Sequence, residues 1–276
     1  MPLPSVRRPA VLIVSACLRE AREQRKVGLR RLADQLGVSP ARLSGLELAT
    51  HIPRPPDVAH ILGFLGIGGN EHKQLIAMAE HVYDENLITQ NTTQTFSLMW
   101  TYEQISNRVV DWAPYRLPDL LRLQQPFEGT PDANGGWQCH GELEPLERSV
   151  RQQAMHDGTR RYVFLIGEEA VRTARDAVGS VEQIQHLRAA ASLHHVSVRI
   201  VPMAAMGPNP PPAFTLFEDR PAAVAVALKH AHCTAYLTER PLLDEYLDTA
   251  KALQRQALSE SATADALNDS AWDRAS

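Results

Sequence analysis

The 276 residues carry 44% hydrophobic side chains and a formal net charge of −4, enough apolar chain for two cores, one small and one of ordinary size. Three cysteines, Cys17, Cys139 and Cys233, lie far apart and form no C-x-x-C pair, which argues against a disulfide framework or a zinc ribbon. No segment approaches the roughly 18 apolar residues of a membrane span. The charge is uneven: residues 1–54 hold ten Lys and Arg against four Asp and Glu, while residues 55–276 hold 18 against 28. That is the pattern of a basic module on an acidic body.

At the N-terminus, Arg7-Arg8 precede the apolar run Ala10–Val14 and then "VSAC", which looks like a lipoprotein cleavage site ending at Cys17. The run is shorter than a secretory core and continues into "LREAREQRK", where Leu18, Ala21 and Arg25 extend the same helical face. The expectation is therefore a cytoplasmic chain whose first helix spans about Val11 to Lys26. A second helix is predicted from Arg30 to Leu36, ending at Gly37, a favoured residue just past a helix end. Ser39 as N-cap and Pro40 at the first helical position start a third helix, ending near Leu48. After "HIPRPP", Asp57 is expected to cap a helix over Val58–Leu65; after "GIGG", Asn70 is expected to cap a fifth over Glu71–Tyr83. Residues 84–95 are polar and Thr/Asn-rich, and read as a linker or a helix with a polar face.

Further on, helical patterns fall at 100–110, 142–157, 168–176, 180–194 and 239–258, whereas "RYVFLIG", "VSVRIVP", "AFTLFE" and "AAVAVAL" are short β-rich runs. The last three are close together, favouring an antiparallel or mixed sheet with helices against it. In "MGPNPPPA" four prolines withhold backbone donors, so the stretch is irregular. The predicted class is α+β: a five-helix head at 11–83, a linker at 84–95, a mixed α/β body at 96–258 and a flexible tail at 259–276.

The segment "LADQLGVSPARLSGLE", Leu32 to Glu47, has helix-turn-helix spacing. In that motif the first helix braces on the phosphate backbone and the second lies in the major groove, meeting base edges. Leu32, Ala33 and Leu36 can face Val38, Leu43 and Leu46 across Gly37, which would leave Ser39, Ala41, Arg42, Ser44 and Gly45 outward. The pattern "GLRRLADQLGVSPARLSGLE", followed by a Pro-containing turn and "PPDVAHILGFLGI", resembles the lambda-repressor-like, xenobiotic-response-element family of five-helix DNA-binding domains over residues 11–81. The resemblance implies base contacts at Ser39, Ala41, Arg42, Ser44 and Gly45 and phosphate contacts at Arg30 and Arg31; Arg54 is a further phosphate candidate. Two departures stand out. Many relatives carry glycine two residues after the glutamate, where this chain has Ala49, and actinobacterial relatives commonly carry arginine where this chain has Gly45. Loss of a bidentate arginine would forfeit about 1 to 3 kcal/mol of base discrimination.

The larger part offers no matched catalytic set. Glu168-Glu169 follows a predicted strand and opens a helix, where acidic residues also favour the helix dipole. Cys139-His140, His194-His195 and His230-x-His232-Cys233 supply soft and imidazole groups, but their spacings match no structural zinc site. Arg148, Arg151 and Gln152 could bind an anion or pair internally with carboxylates, with internal pairing favoured. "WAPYRLPDLLR", "RSVRQQAM", "YVFLIGEEAVR", "QIQHLRAAASLHHVSVRIVP", "FTLFE" and "ALSESATADAL" resemble, in order over residues 96–267, the domain of unknown function that follows the helix-turn-helix in many actinobacterial regulators. The resemblance implies an antitoxin-like transcriptional regulator, with double-stranded DNA as partner and a small protein from a neighbouring gene bound by the large domain. An unidentified small ligand for that domain stays open. A homodimer is expected because one recognition helix reads too few base pairs alone. No enzyme, cofactor, metal or membrane partner is expected. The alternative is a protein-interaction scaffold with a degenerate helix-turn-helix.

Overall fold

The computed structural model describes residues 7–90, 97–123, 145–177, 179–207, 209–230 and 233–268. It divides into two compact units, residues 1–101 with 236–240, and residues 102–235 with 241–276. The helical unit runs α1 (Pro9–Gln24), α2 (Leu29–Leu36), α3 (Pro40–Glu47), α4 (Pro55–Phe64), α5 (Gly69–Glu80) and β1 (Asn86–Gln90). Leu32, Ala33, Leu43, Val58, Leu62 and Leu18 are buried to 0% exposure, so α1, α2, α3 and α4 share one small core. Val38, expected to face inward, is half-buried.

Local chemistry sets the helix ends. Gly37 takes φ 66°, a left-handed cap that a side chain would strain, and its N–H closes on Ala33 O and Asp34 O. Two residues on, the Ser39 hydroxyl accepts from the Arg42 N–H at 3.2 Å, with Pro40 in the first turn. The connection between α2 and α3 is thereby fixed from both sides. Two expected caps are corrected. Pro55-Pro56 begin α4 earlier, with Arg54 at the N-cap and Asp57 inside the first turn, because proline's fixed φ suits a first helical turn. α5 starts at Gly69, with Gly68 rather than Asn70 at the cap.

After α6 (Leu98–Gln104) come β2 (Arg108–Ala113), a short 3-10 turn at Asp119–Leu121, α7 (Pro145–His156), β3 (Arg161–Gly167), α8 (Glu168–Asp176), α9 (Ser180–Ala191) and β4 (Val196–Val201). α10 (Met203–Met206), β5 (Phe214–Asp219), β6 (Ala222–Lys229), β7 (Cys233–Leu237), α11 (Arg240–Gln256) and α12 (Glu260–Asn268) follow. The seven strands hydrogen-bond in the order β1-β7-β6-β5-β2-β3-β4. The sheet is mixed: β2 pairs parallel with β3 and antiparallel with β5, and β3 pairs parallel with β4. Trp112, Tyr162, Phe164, Phe217 and Leu121 are the large, fully buried side chains around it. The expected α+β class and mixed sheet hold.

Cys233–Leu237, given no element in the sequence reading, forms β7, and three segments that were assigned differ. Asn86–Gln90, expected in the linker, is a strand, and the neighbouring Glu85 O accepts from the Thr238 N–H at 3.0 Å; its backbone finds partners about 150 positions away in sequence. The predicted helix at 100–110 ends at Gln104 and becomes β2, whose residues are buried on both faces and show no alternation. Within the expected flexible tail, Glu260–Asn268 is helical. The Thr263 hydroxyl accepts from Ile200 N–H at 3.2 Å, and Arg175 caps the last turn through Ala266 O and Leu267 O at 2.8 and 3.1 Å.

Candidate nucleic-acid interface

α2 and α3 place the sequence-predicted residues by helical period. Leu32, Ala33, Leu36, Leu43 and Leu46 turn inward, and this leaves Arg30 and Arg31 on α2, and Ser39, Ala41 and Arg42 at the start of α3, exposed. Ser44 is half-buried. Among the described residues no ion pair holds Arg30 or Arg31, so both guanidinium groups are available to a phosphate.

Arg42 and Arg54 are arranged differently. Asp57 accepts from Arg42 Nη2 at 3.0 Å through one carboxylate oxygen and from Arg54 Nε at 3.1 Å through the other. Burial alone would raise the Asp57 carboxyl, but the two guanidinium groups outweigh it and hold it below its ordinary range. One carboxylate therefore aligns two arginines and leaves one net positive charge between them. The sequence reading missed this; the Arg54–Asp57 spacing of three along a helix start was the available signal.

Glu47, the last residue of α3, is 5% exposed and takes a bidentate pair from Arg22 of α1 at 2.7 and 2.8 Å. Arg22 Nη1 also donates to Val27 O at 3.0 Å. A planar guanidinium matched to a carboxylate in this way fixes angle as well as distance, so the pair locks the recognition helix against α1.

Gly45 is a correction. Expected to point outward, it is buried, and a Cβ built on it would lie 1.9 Å from His51 Nδ1. Its carbonyl accepts from the Thr50 and His51 amides, both at 2.9 Å, and from the Thr50 hydroxyl at 3.3 Å. The chain after α3 folds back over the glycine, and the His51 ring fills the space a side chain at 45 would need. Turning back requires the left-handed conformation at Ala49, φ 56°. Here an alanine bears the strain.

In the larger unit, the tempting clusters are engaged internally. Arg151 donates to Glu103 through Nε at 3.0 Å and through Nη2, both side chains being buried. Gln152 donates to Leu120 O and Arg122 O at 3.0 and 3.1 Å. Glu168 accepts from the Met203 amide at 2.8 Å and pairs with Arg172 at 3.2 Å. His195 sits 2.6 Å from Met155 O and edge-on to His194. Cys139, His140 and His232 lie outside the described residues. Among the described residues no group of three His, Cys, Asp or Glu could hold a metal, and no helix is long and apolar enough to cross a membrane.

Comparison with protein families matches residues 96–269 to a domain of unknown function, DUF5753. The chain belongs to the DUF5753 family. A second match, to the helix-turn-helix domain, covers residues 14–75, the stretch that carries most of α1, all of α2, α3 and α4, and the first part of α5. The DUF5753 protein is therefore a helix-turn-helix protein of the kind consistent with binding double-stranded DNA. No curated protein and no solved structure matches it.

Proposed function

We propose that the DUF5753 protein is an antitoxin-like transcriptional regulator that binds double-stranded DNA as a homodimer. Ser39, Ala41, Arg42 and Ser44 face base edges, and Arg30, Arg31 and Arg54 meet phosphates. The observation that carries this reading is the exposed set Arg30, Arg31, Ser39, Ala41 and Arg42 on a capped helix-turn-helix. Gly45 acts on this surface only through His51, which lies over it. A dimer brings two recognition helices to half-sites one helical turn apart.

The larger domain serves as the sensor or partner-binding part, its partner a small protein encoded beside it. The order of sequence blocks in residues 96–267, shared with actinobacterial regulators, supports both this role and that origin. The protein acts in the cytoplasm and is not an enzyme; the internal pairing of Glu168 with Arg172 and the Met203 amide supports the latter.

Binding of the full chain to the DNA upstream of its own gene, measured across a salt series, tests the reading. Arg31→Ala should weaken binding and reduce the slope of log K against log salt by about 1, and Arg42→Ala should weaken binding and relax its sequence preference. Unchanged affinity and slope in both variants would overturn it and favour the interaction scaffold, a reading to which the shared Asp57 lends weight because it already neutralises part of the Arg42 and Arg54 charge.

A further inference from the structure

The larger unit holds a cavity of about 470 Å³, within the range of small-molecule sites. It opens where β2 ends, β5 begins and β6 ends, its lining including Asp111, Trp112, Phe214 and Lys229. That place is not arbitrary. From β2 the chain goes outward to β3 and β4, then returns to the other side of β2 as β5. Ligands of open α/β sheets bind at the carboxyl ends of strands, at such a reversal.

The walls are apolar and held in place. Trp112 is fully buried and its Nε1 donates to Pro211 O at 2.9 Å, tying β2 to the proline-rich segment before β5. Phe214 meets Tyr246 of α11 edge-on, ring centres 5.0 Å apart. Gly167, at the end of β3, admits the backbone of Pro114: a Cβ there would lie 2.1 Å from Pro114 O.

Two carboxyl groups line this apolar space, and their situations differ. Asp119 accepts from Lys229 Nζ and, at 2.6 Å, from Arg122. Against burial, these cations hold it far below the ordinary carboxylate range. Asp111 is enclosed by protein but reaches the cavity, and no hydrogen bond or ion pair among the described residues closes on it. An ionised carboxylate in such a place is costly without donors. A ligand that brings a positive charge and N–H donors on an apolar body removes that cost, and the cations Lys229 and Arg122 that line the same cavity are already held by Asp119.

We propose that this cavity binds a small apolar or aromatic molecule carrying a protonated amine, with the amine on Asp111 and the body between Trp112, Phe214 and the proline segment. The site is independent of DNA reading, and its test uses no DNA, so either can fail without the other. Affinity also follows pH. Lys229 on β6, Asp119 in the 3-10 turn, Arg151 on α7 and Glu103 on α6 act on Asp111, and Arg116, Arg122 and His230 line the same cavity. Burial dominates among these influences and pushes the Asp111 carboxyl up to about 7. Amine affinity should therefore rise about tenfold between pH 6 and pH 8 as the binding-competent carboxylate fills.

The experiment is calorimetric titration of the full chain with three probes of one shape: tryptamine, tryptophol and indole-3-acetate. Saturable tryptamine binding at least tenfold tighter than either of the others is expected. The preference and the pH dependence should both disappear in Asp111→Asn, checked for folding by circular dichroism. Absence of tryptamine binding, equal or tighter indole-3-acetate binding, or an unchanged preference in Asp111→Asn would each overturn the proposal. The pH series on the unsubstituted chain decides the matter should the variant not fold: a flat profile refutes.

Discussion

Replacing Asp111 by asparagine should stabilise the protein above neutral pH and leave it nearly unchanged in acid. Burial raises the Asp111 carboxyl from an ordinary 3.8 to about 7, which corresponds to about 4 kcal/mol of preference for the neutral form in the folded chain. The sign follows from linkage. A group whose folded value is raised imposes no penalty below the unfolded value near 3.8; the penalty grows as pH rises and is complete above about 7. Asparagine keeps the shape without the charge, and its unsatisfied amide is matched by the unsatisfied hydroxyl of the protonated acid at low pH. Water reaching the carboxylate through the cavity removes part of the penalty. The expected gain is about 1 to 3 kcal/mol at pH 8, vanishing by pH 4. Urea unfolding at pH 4, 6, 7 and 8, followed by tryptophan fluorescence, reads it as a shift in midpoint at constant slope. A variant destabilised at pH 8, or a difference that does not change with pH, would mean that Asp111 is stably charged and partnered, and the reasoning would fail.

Two further outcomes follow from the turn after the recognition helix. Ala49→Gly relieves a left-handed backbone, φ 56°, and should raise the stability of the helical unit by about 0.5 to 1 kcal/mol after the greater freedom of glycine in the unfolded chain is counted; a thermal melt showing a loss would contradict the strain. Gly45→Ala adds helix propensity but displaces the His51 ring. It should therefore be more favourable by about 0.5 to 1 kcal/mol in a His51→Gly background than in the native one, and strict additivity would show that the ring does not occupy that space.

The head was largely legible in the sequence because its signals are local. Gly37, Ser39-Pro40 and the apolar spacing of Leu32, Leu36, Leu43 and Leu46 each act within one or two helical turns, and the structure places α2 and α3 within a residue or two of where they were expected. The β-rich runs that became β3 to β6 were equally clear. What failed depends on partners far along the chain. β2 reads like a helix end until it is seen between β3 and β5, and α12 reads as a frayed tail until Arg175 closes its last carbonyls.

The candidate interface divides in the same way. The sequence by itself determined which residues of α2 and α3 could be exposed, because helical period alone assigns faces once the apolar stripe is known. Only tertiary structure decided that Gly45 is covered, since the covering ring belongs to His51 beyond the helix end, and that Arg42 and Arg54 share Asp57. The cavity around Asp111 was wholly outside the sequence's reach, because its walls come from β2, the 3-10 turn, β5 and β6, which meet only where the sheet reverses its order. Whether a carboxylate is matched or stranded depends on those neighbours, and Asp111 and Asp119, eight positions apart on one chain, are driven to opposite protonation preferences by them.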